Sequence, residues 1–169
     1  MPDLPVGARN RRRHQIDLGV SDNRGGFAAP VSYQIRGTGA PDYYHEVIFS
    51  SEPDNWRDLQ EKVADVLRIS GFDPVSIEKT IEQTRGSVDV DVYAVDPATS
   101  PELIYICECK HWSTPVPRTV VHAFQTVVAQ HGAHLGLIVS RNGFQSGAYE
   151  AAQQTNIKLV NWFEFQQLS

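Results

Sequence analysis

The segment Val88-Asp89-Val90-Asp91-Val92-Tyr93-Ala94 constrains this chain more than any other stretch. Apolar and acidic residues alternate one for one. A strand separates such residues cleanly, because its successive side chains point to opposite faces. Asp89 and Asp91 then share one face. A loop, Asp96-Pro97-Ala98-Thr99-Ser100-Pro101, leads into a second strand, Leu103 to Lys110, apolar until it ends on Glu108-Cys109-Lys110. By the same rule Glu108 and Lys110 share a face. If the two strands are neighbours, two or three carboxylates and one ammonium converge. Carboxylates brought that close repel unless a cation joins them. The pattern therefore predicts a site for a hard divalent metal with a lysine beside it.

The surrounding signals place these strands in a larger sheet. Asp54 or Asn55 caps a helix whose apolar residues, Trp56, Leu59, Val63, Val66 and Leu67, fall at helical spacing before Gly71. Phe72 to Glu82 reads as a turn and a strand. After Pro115 and Pro117 the spacing predicts a second helix. Its buried stripe is Val120 or Val121, Phe124, Val127 and Val128, and Gly132 ends it. Leu135 to Val139 is a short apolar run, as in a strand buried on both faces. A helix capped by Ser146 and running through Gln154, a strand at Ile157 to Val160 and a short helix at Trp162 to Leu168 complete the order. Three consecutive strands suggest an antiparallel meander, and the later strand-helix-strand units suggest parallel additions. The expected fold is α/β, a mixed central sheet flanked by helices.

Composition narrows the class. With 169 residues, 41% of them apolar, the chain suits one domain with a core that needs no disulfides. Residues 1–40, rich in Pro, Gly, Asn and Arg, read as a flexible or loosely packed arm with one strand near Val31 to Ile35. Residues 41–169 read as the domain. No apolar run is long enough to cross a bilayer, and the basic cluster Arg9 to Arg13 is followed by no apolar stretch. With two cysteines two apart on a strand, the expectation is a reduced, cytoplasmic protein without membrane association. The net charge of -5 is not that of a protein held to nucleic acid by overall charge, although a local basic face would suffice.

Asp91 together with Glu108-Cys109-Lys110 resembles the signature of the PD-(D/E)xK nuclease superfamily, and within it the Mrr-type restriction endonuclease domain. That signature places an acid on the second core strand and acid-x-Lys on the third. The stretches Gly132 to Ser140 and Phe144 to Ala152 are similar to the strand and small-residue helix that follow in that family. The resemblance spans Asp54 to Phe165. It implies a restriction-endonuclease-like αβββαβ core with C-terminal αβα additions. It implies a Mg²⁺-dependent endonuclease, with Mn²⁺ able to substitute, that hydrolyses DNA phosphodiester bonds in restriction or defence. A homodimer or a larger defence complex would suit such an enzyme. Alternatives are a junction-resolving nuclease, or a nucleic-acid-binding module of the same fold without catalysis.

On this reading Asp91 and Glu108 are metal carboxylates, and the resemblance adds the backbone carbonyl of Cys109. Lys110 orients the attacking water and offsets charge on phosphorus, or takes part in proton transfer. Related domains place a Glu on the first helix. Here Gln60 stands at that position with Glu61 one residue on, and either is a candidate. Ser140 and Arg141, after a buried strand, are candidates for phosphate contact, and Gln125 for contact with the site from the second helix. Cys107, Cys109 and His111 share the other face of their strand, where buried thiols under a helix are expected.

Overall fold

The computed structural model describes residues 48–83 and 86–168, and the backbone of four short strands nearer the N-terminus. Those four pair antiparallel in twos: β1 (Val20–Ser21) with β2 (Phe27–Ala28), and β3 (Ser32–Tyr33) with β4 (His45–Glu46). The strand expected near Val31 to Ile35 thus corresponds to β3. The arm's remaining residues, Arg9 to Arg13 among them, and the boundary between residues 40 and 41, lie outside the described residues.

The rest follows the expected order: α1 (Trp56–Ile69), β5 (Val75–Gln83), β6 (Gly86–Asp96), β7 (Leu103–Lys110), α2 (Arg118–His131), β8 (Leu135–Ser140), α3 (Ser146–Ala152), β9 (Ile157–Asn161) and α4 (Trp162–Gln167). The sheet runs β5-β6-β7-β8-β9. The pairs β5–β6 and β6–β7 are antiparallel, and β7–β8 and β8–β9 are parallel. Among the described residues no helix is long and apolar enough to cross a membrane.

Each face of the sheet buries its own core. One is closed by Leu59, Val63, Ala64, Val66 and Leu67 of α1 with Trp162 and Phe165 of α4, over Val92, Ala94, Cys107, Cys109, Leu137 and Val139. The other is closed by Val121, Phe124 and Val128 of α2 with Ala148 of α3, over Val90, Tyr93, Val95, Ile106, Ile138 and Ile157. β8 contributes to both cores, as its unbroken apolar run requires.

Local chemistry seats the helices. Asn55, not Asp54, caps α1, its Oδ1 accepting from the backbone N–H groups of Arg57 (3.0 Å) and Asp58 (3.1 Å). His111 Nε2 lies 3.0 Å from the carbonyl oxygen of Pro53, which ties the start of α1 to the end of β7. Gln166 of α4 clamps Phe49 through both its backbone groups. Asn161 and Glu164 form a reciprocal cap on α4.

Three details depart from the sequence reading. Trp56 stands half exposed outside the buried stripe of α1. Gln145 precedes α3 as its cap position, so Ser146 is the first helical residue, and the helix ends at Ala152. A serine inside the first turn is in helical conformation and cannot take the extended backbone of a cap. The third departure, in β6, shapes the site.

α2 sits close on β8 because residue 136 is glycine. A Cβ there would fall 2.7 Å from Val128 Cγ2, 2.9 Å from Phe124 Cε1 and 2.6 Å from Ile157 Cδ1. The tip of Ile157 can swing aside, but Phe124 and Val128 are buried on the helix. Gly136→Ala is therefore expected to push α2 outward and to lower unfolding free energy by about 1–3 kcal/mol, read from denaturant titrations. An unchanged midpoint would mean that α2 yields freely.

Candidate active site

The alternation of β6 breaks at Asp91. Val88 and Val90 pack on the α2 face, whereas Val92 and Ala94 pack on the α1 face. An unbroken strand would keep all four together. The β5–β6 ladder has the same register on both sides of this point, but the rung between Glu78 and Asp91 is missing. Glu78, opposite, has φ +50, a left-handed conformation uncommon for such a residue. The β6–β7 ladder runs from Asp96–Leu103 to Val92–Cys107 and stops. Beyond it the two strands part.

Asp91 fills the gap. Its Oδ2 accepts from the backbone N–H of Cys109 at 2.6 Å, where the ladder would otherwise supply a carbonyl. Its Oδ1 accepts from Gln60 Nε2 of α1 at 2.8 Å. One carboxylate thus joins β6, β7 and α1. Of the two residues expected from the first helix, Gln60 is the one brought here, at 4% exposure, and Glu61 faces solvent.

Glu108 and Lys110 leave β7 on the α2 face and pair with each other. Burial raises the pKa of Glu108 above the ordinary carboxylate value; the charge of Asp91 raises it further, and Lys110 partly offsets both. The two acids are therefore close enough to repel. Lys110 Nζ also lies 5.3 Å from the ring centre of Trp112, within cation–π range. Glu108, Lys110 and Trp112 border a cleft of about 280 Å³. Its apolar walls are Val88 and Val90 of β6 and Val120, Ala123, Phe124 and Val127 of α2.

Other candidates lie apart. Asp89 is the exception: exposed, it accepts from the Thr80 hydroxyl at 2.6 Å on the β5–β6 hairpin and lines the same cleft as Glu108 and Lys110. Gln125 is half-buried on α2 and does not line the cleft. Ser140 is buried and donates to the Gly143 carbonyl at 2.9 Å. Arg141 is exposed and borders a separate cavity with Pro53, Leu59 and Trp162. Cys107 and Cys109 are buried free thiols on the α1 face, and burial raises the pKa of both. Trp112 escaped the sequence reading. The signal was there: a tryptophan two residues past Lys110, just beyond the strand's apolar run.

The donor set suits a hard cation. Gln60 Oε1 is buried and has no hydrogen-bond partner, and leaving a buried acceptor so costs about 1–3 kcal/mol. It belongs to the same amide that donates to Asp91, beside two mutually repelling carboxylates. Among the described residues no three His, Cys, Asp or Glu side chains cluster into a complete cage. One or two carboxylates completed by water and substrate oxygen is the habit of magnesium.

The restriction endonuclease family of the Mrr catalytic type matches residues 54–169. The chain belongs to that family. The fold agrees with two solved structures. A protein of unknown function, AF1548, superposes with a TM-score of 0.55 at 22% identity over 64% of this chain and 59% of its own. Can2 from Sulfobacillus thermosulfidooxidans, solved with cyclic tetra-adenylate, superposes at 0.51 and 15% identity over 62% of this chain and 32% of its own. The MspJI restriction endonuclease, solved with a 27-mer oligonucleotide, gives 0.42 at 20% identity over 66% of this chain and 26% of its own. This chain therefore spans less than two thirds of each neighbour's length. No match was found among curated proteins. Membership of the family makes this a nuclease-type domain of restriction-endonuclease-like fold.

The raised pKa of Glu108 gives a test in the metal-free protein. Its folded pKa lies above the unfolded value of about 4.3. The charged form then costs stability that is absent below about pH 4 and fully present once the pH passes the folded pKa. Glu108→Gln cannot ionise, so at neutral pH in EDTA it should melt above the wild type, with the gap closing as the pH falls toward about 4. A variant that melts lower at neutral pH would show that the attraction of Lys110 outweighs burial and Asp91.

Proposed function

We propose that the domain is a magnesium-dependent endonuclease that cuts DNA, with Asp91, Glu108 and Lys110 as its catalytic groups. One observation carries the reading: the Asp91 carboxylate takes the backbone N–H of Cys109, the residue between Glu108 and Lys110, and so ties β6 and α1 to the strand end that bears that ion pair. Asp91 and Glu108 would hold the ion, with the free oxygen of Gln60 and the carbonyl of Cys109 as further oxygen donors. When bound, magnesium polarises the phosphate and lowers the pKa of water.

The protein's own groups do the rest. Lys110, held between the Glu108 carboxylate and the Trp112 ring, presents its ammonium to the attacking water and to charge growing on the phosphoryl oxygens. Water adds to phosphorus and gives up a proton, the bond to the leaving deoxyribose oxygen breaks, and a proton is returned to that oxygen.

Plasmid nicking with and without Mg²⁺ tests the assignment. Wild type should cut only with the metal, while Asp91→Ala and Lys110→Ala should each lose about 10²-fold or more in rate. DNA binding without cleavage by the wild type would identify a binding module instead, and cleavage indifferent to both substitutions would displace the site.

Gln60→Glu gives an independent reading. A third carboxylate against Asp91 should lower the melting temperature in EDTA and tighten Mg²⁺ binding measured by calorimetry. Unchanged Mg²⁺ affinity would place the ion away from α1.

A further inference from the structure

The cleft beside Glu108 and Lys110 has the wrong lining for a groove that holds only phosphates. Its α2 wall is Val120, Ala123, Phe124 and Val127, and its β6 wall is Val88, Asp89 and Val90. Phosphate oxygens gain nothing against the apolar walls, and away from the Lys110 ammonium and a bound cation the carboxylates of Asp89 and Glu108 repel them. Nor does the domain's own packing use this surface fully. Val121, Phe124 and Val128 carry the core contact of α2, whereas Val120 and Val127 stay half-buried and Ala123 is exposed. Trp112 stands at the same opening with 41% of its surface in water, its ring held near the Lys110 ammonium.

The occupant is constrained by what lies within reach. A phosphodiester at Glu108 and Lys110 carries its own nucleotides, and the apolar part of a nucleotide is the base. In a paired duplex the base faces are stacked and cannot enter a pocket. A base that has left the stack offers a flat face to an aromatic ring and apolar walls, whatever its identity.

We propose that this cleft is a nucleobase subsite, with Trp112 as its stacking surface. The substrate class it selects is nucleic acid with an unpaired or extruded nucleotide next to the bond to be cut. The proposal deepens the nuclease reading and rests on it for the position of the phosphate. Trp112 also positions Lys110, so its contribution to substrate choice must be read from binding.

The test is fluorescence anisotropy of the full chain in EDTA, so that no cleavage is needed. Three labelled oligonucleotides of one sequence serve as probes: a single strand, a perfect duplex, and a duplex with one unpaired nucleotide. The single strand and the interrupted duplex should bind about tenfold more tightly than the perfect duplex. Trp112→Ala should remove that preference and Trp112→Phe should keep it. Ala123→Trp fills the cleft from an exposed helical position without altering Trp112, and it should remove the preference too. Equal affinity for all probes, binding of none of them, or retention of the preference in either Trp112→Ala or Ala123→Trp overturns the subsite. Metal-dependent nicking lost in Asp91→Ala would stand regardless, so the two readings fail separately.

Discussion

The geometry of this domain turns on how Asp91 spends its two oxygens. The β6–β7 ladder ends at Val92–Cys107, and past that point the backbone donor of Cys109 needs an acceptor. A buried N–H left without one is costly. The carboxylate supplies it and passes its other oxygen to Gln60, so α1 is tied to the place where the strands part. A cut in the sheet thereby becomes a rigid junction. With burial, the nearby negative charge raises the pKa of Glu108, a tension that a cation would relieve.

The two faces of the sheet then serve different ends. Under α1 and α4 the packing is dry: Cys107 and Cys109 are buried among aliphatic side chains and their thiols are held neutral. Under α2 the packing is incomplete on the side of Glu108 and Lys110, where part of the apolar stripe lines the cleft. Both faces draw on one strand. β7 sends its cysteines one way and its Glu and Lys the other, so the Glu108–Lys110 pair is built on a strand that the core holds in place. Sites carried by regular elements are held more precisely than sites on loops.

Much of this was legible in advance, because it depends on periods. Alternation announced β6 and β7, and parity put Glu108 with Lys110 and Cys107 with Cys109. The unbroken run Leu135 to Val139 announced a strand covered on both faces. Residue spacing failed where the backbone left its period. Strict alternation places Asp89 and Asp91 together, yet Asp89 stays on the hairpin with Thr80 and Asp91 turns into the gap. The missing rung opposite Glu78 is a cooperative event between two strands, and neither strand's pattern contains it.

The chain's order of residues, then, set which elements form, which residues can share a face and that acids and a lysine gather at neighbouring strand ends. Those are local consequences of side-chain period and charge. The choice of Gln60 over Glu61, the parting of β6 from β7 and the open cleft beneath Trp112 came from packing among α1, the sheet and α2. Each depends on which side chain meets which across elements far apart in sequence, and that is settled by burial and hydrogen-bond satisfaction in three dimensions.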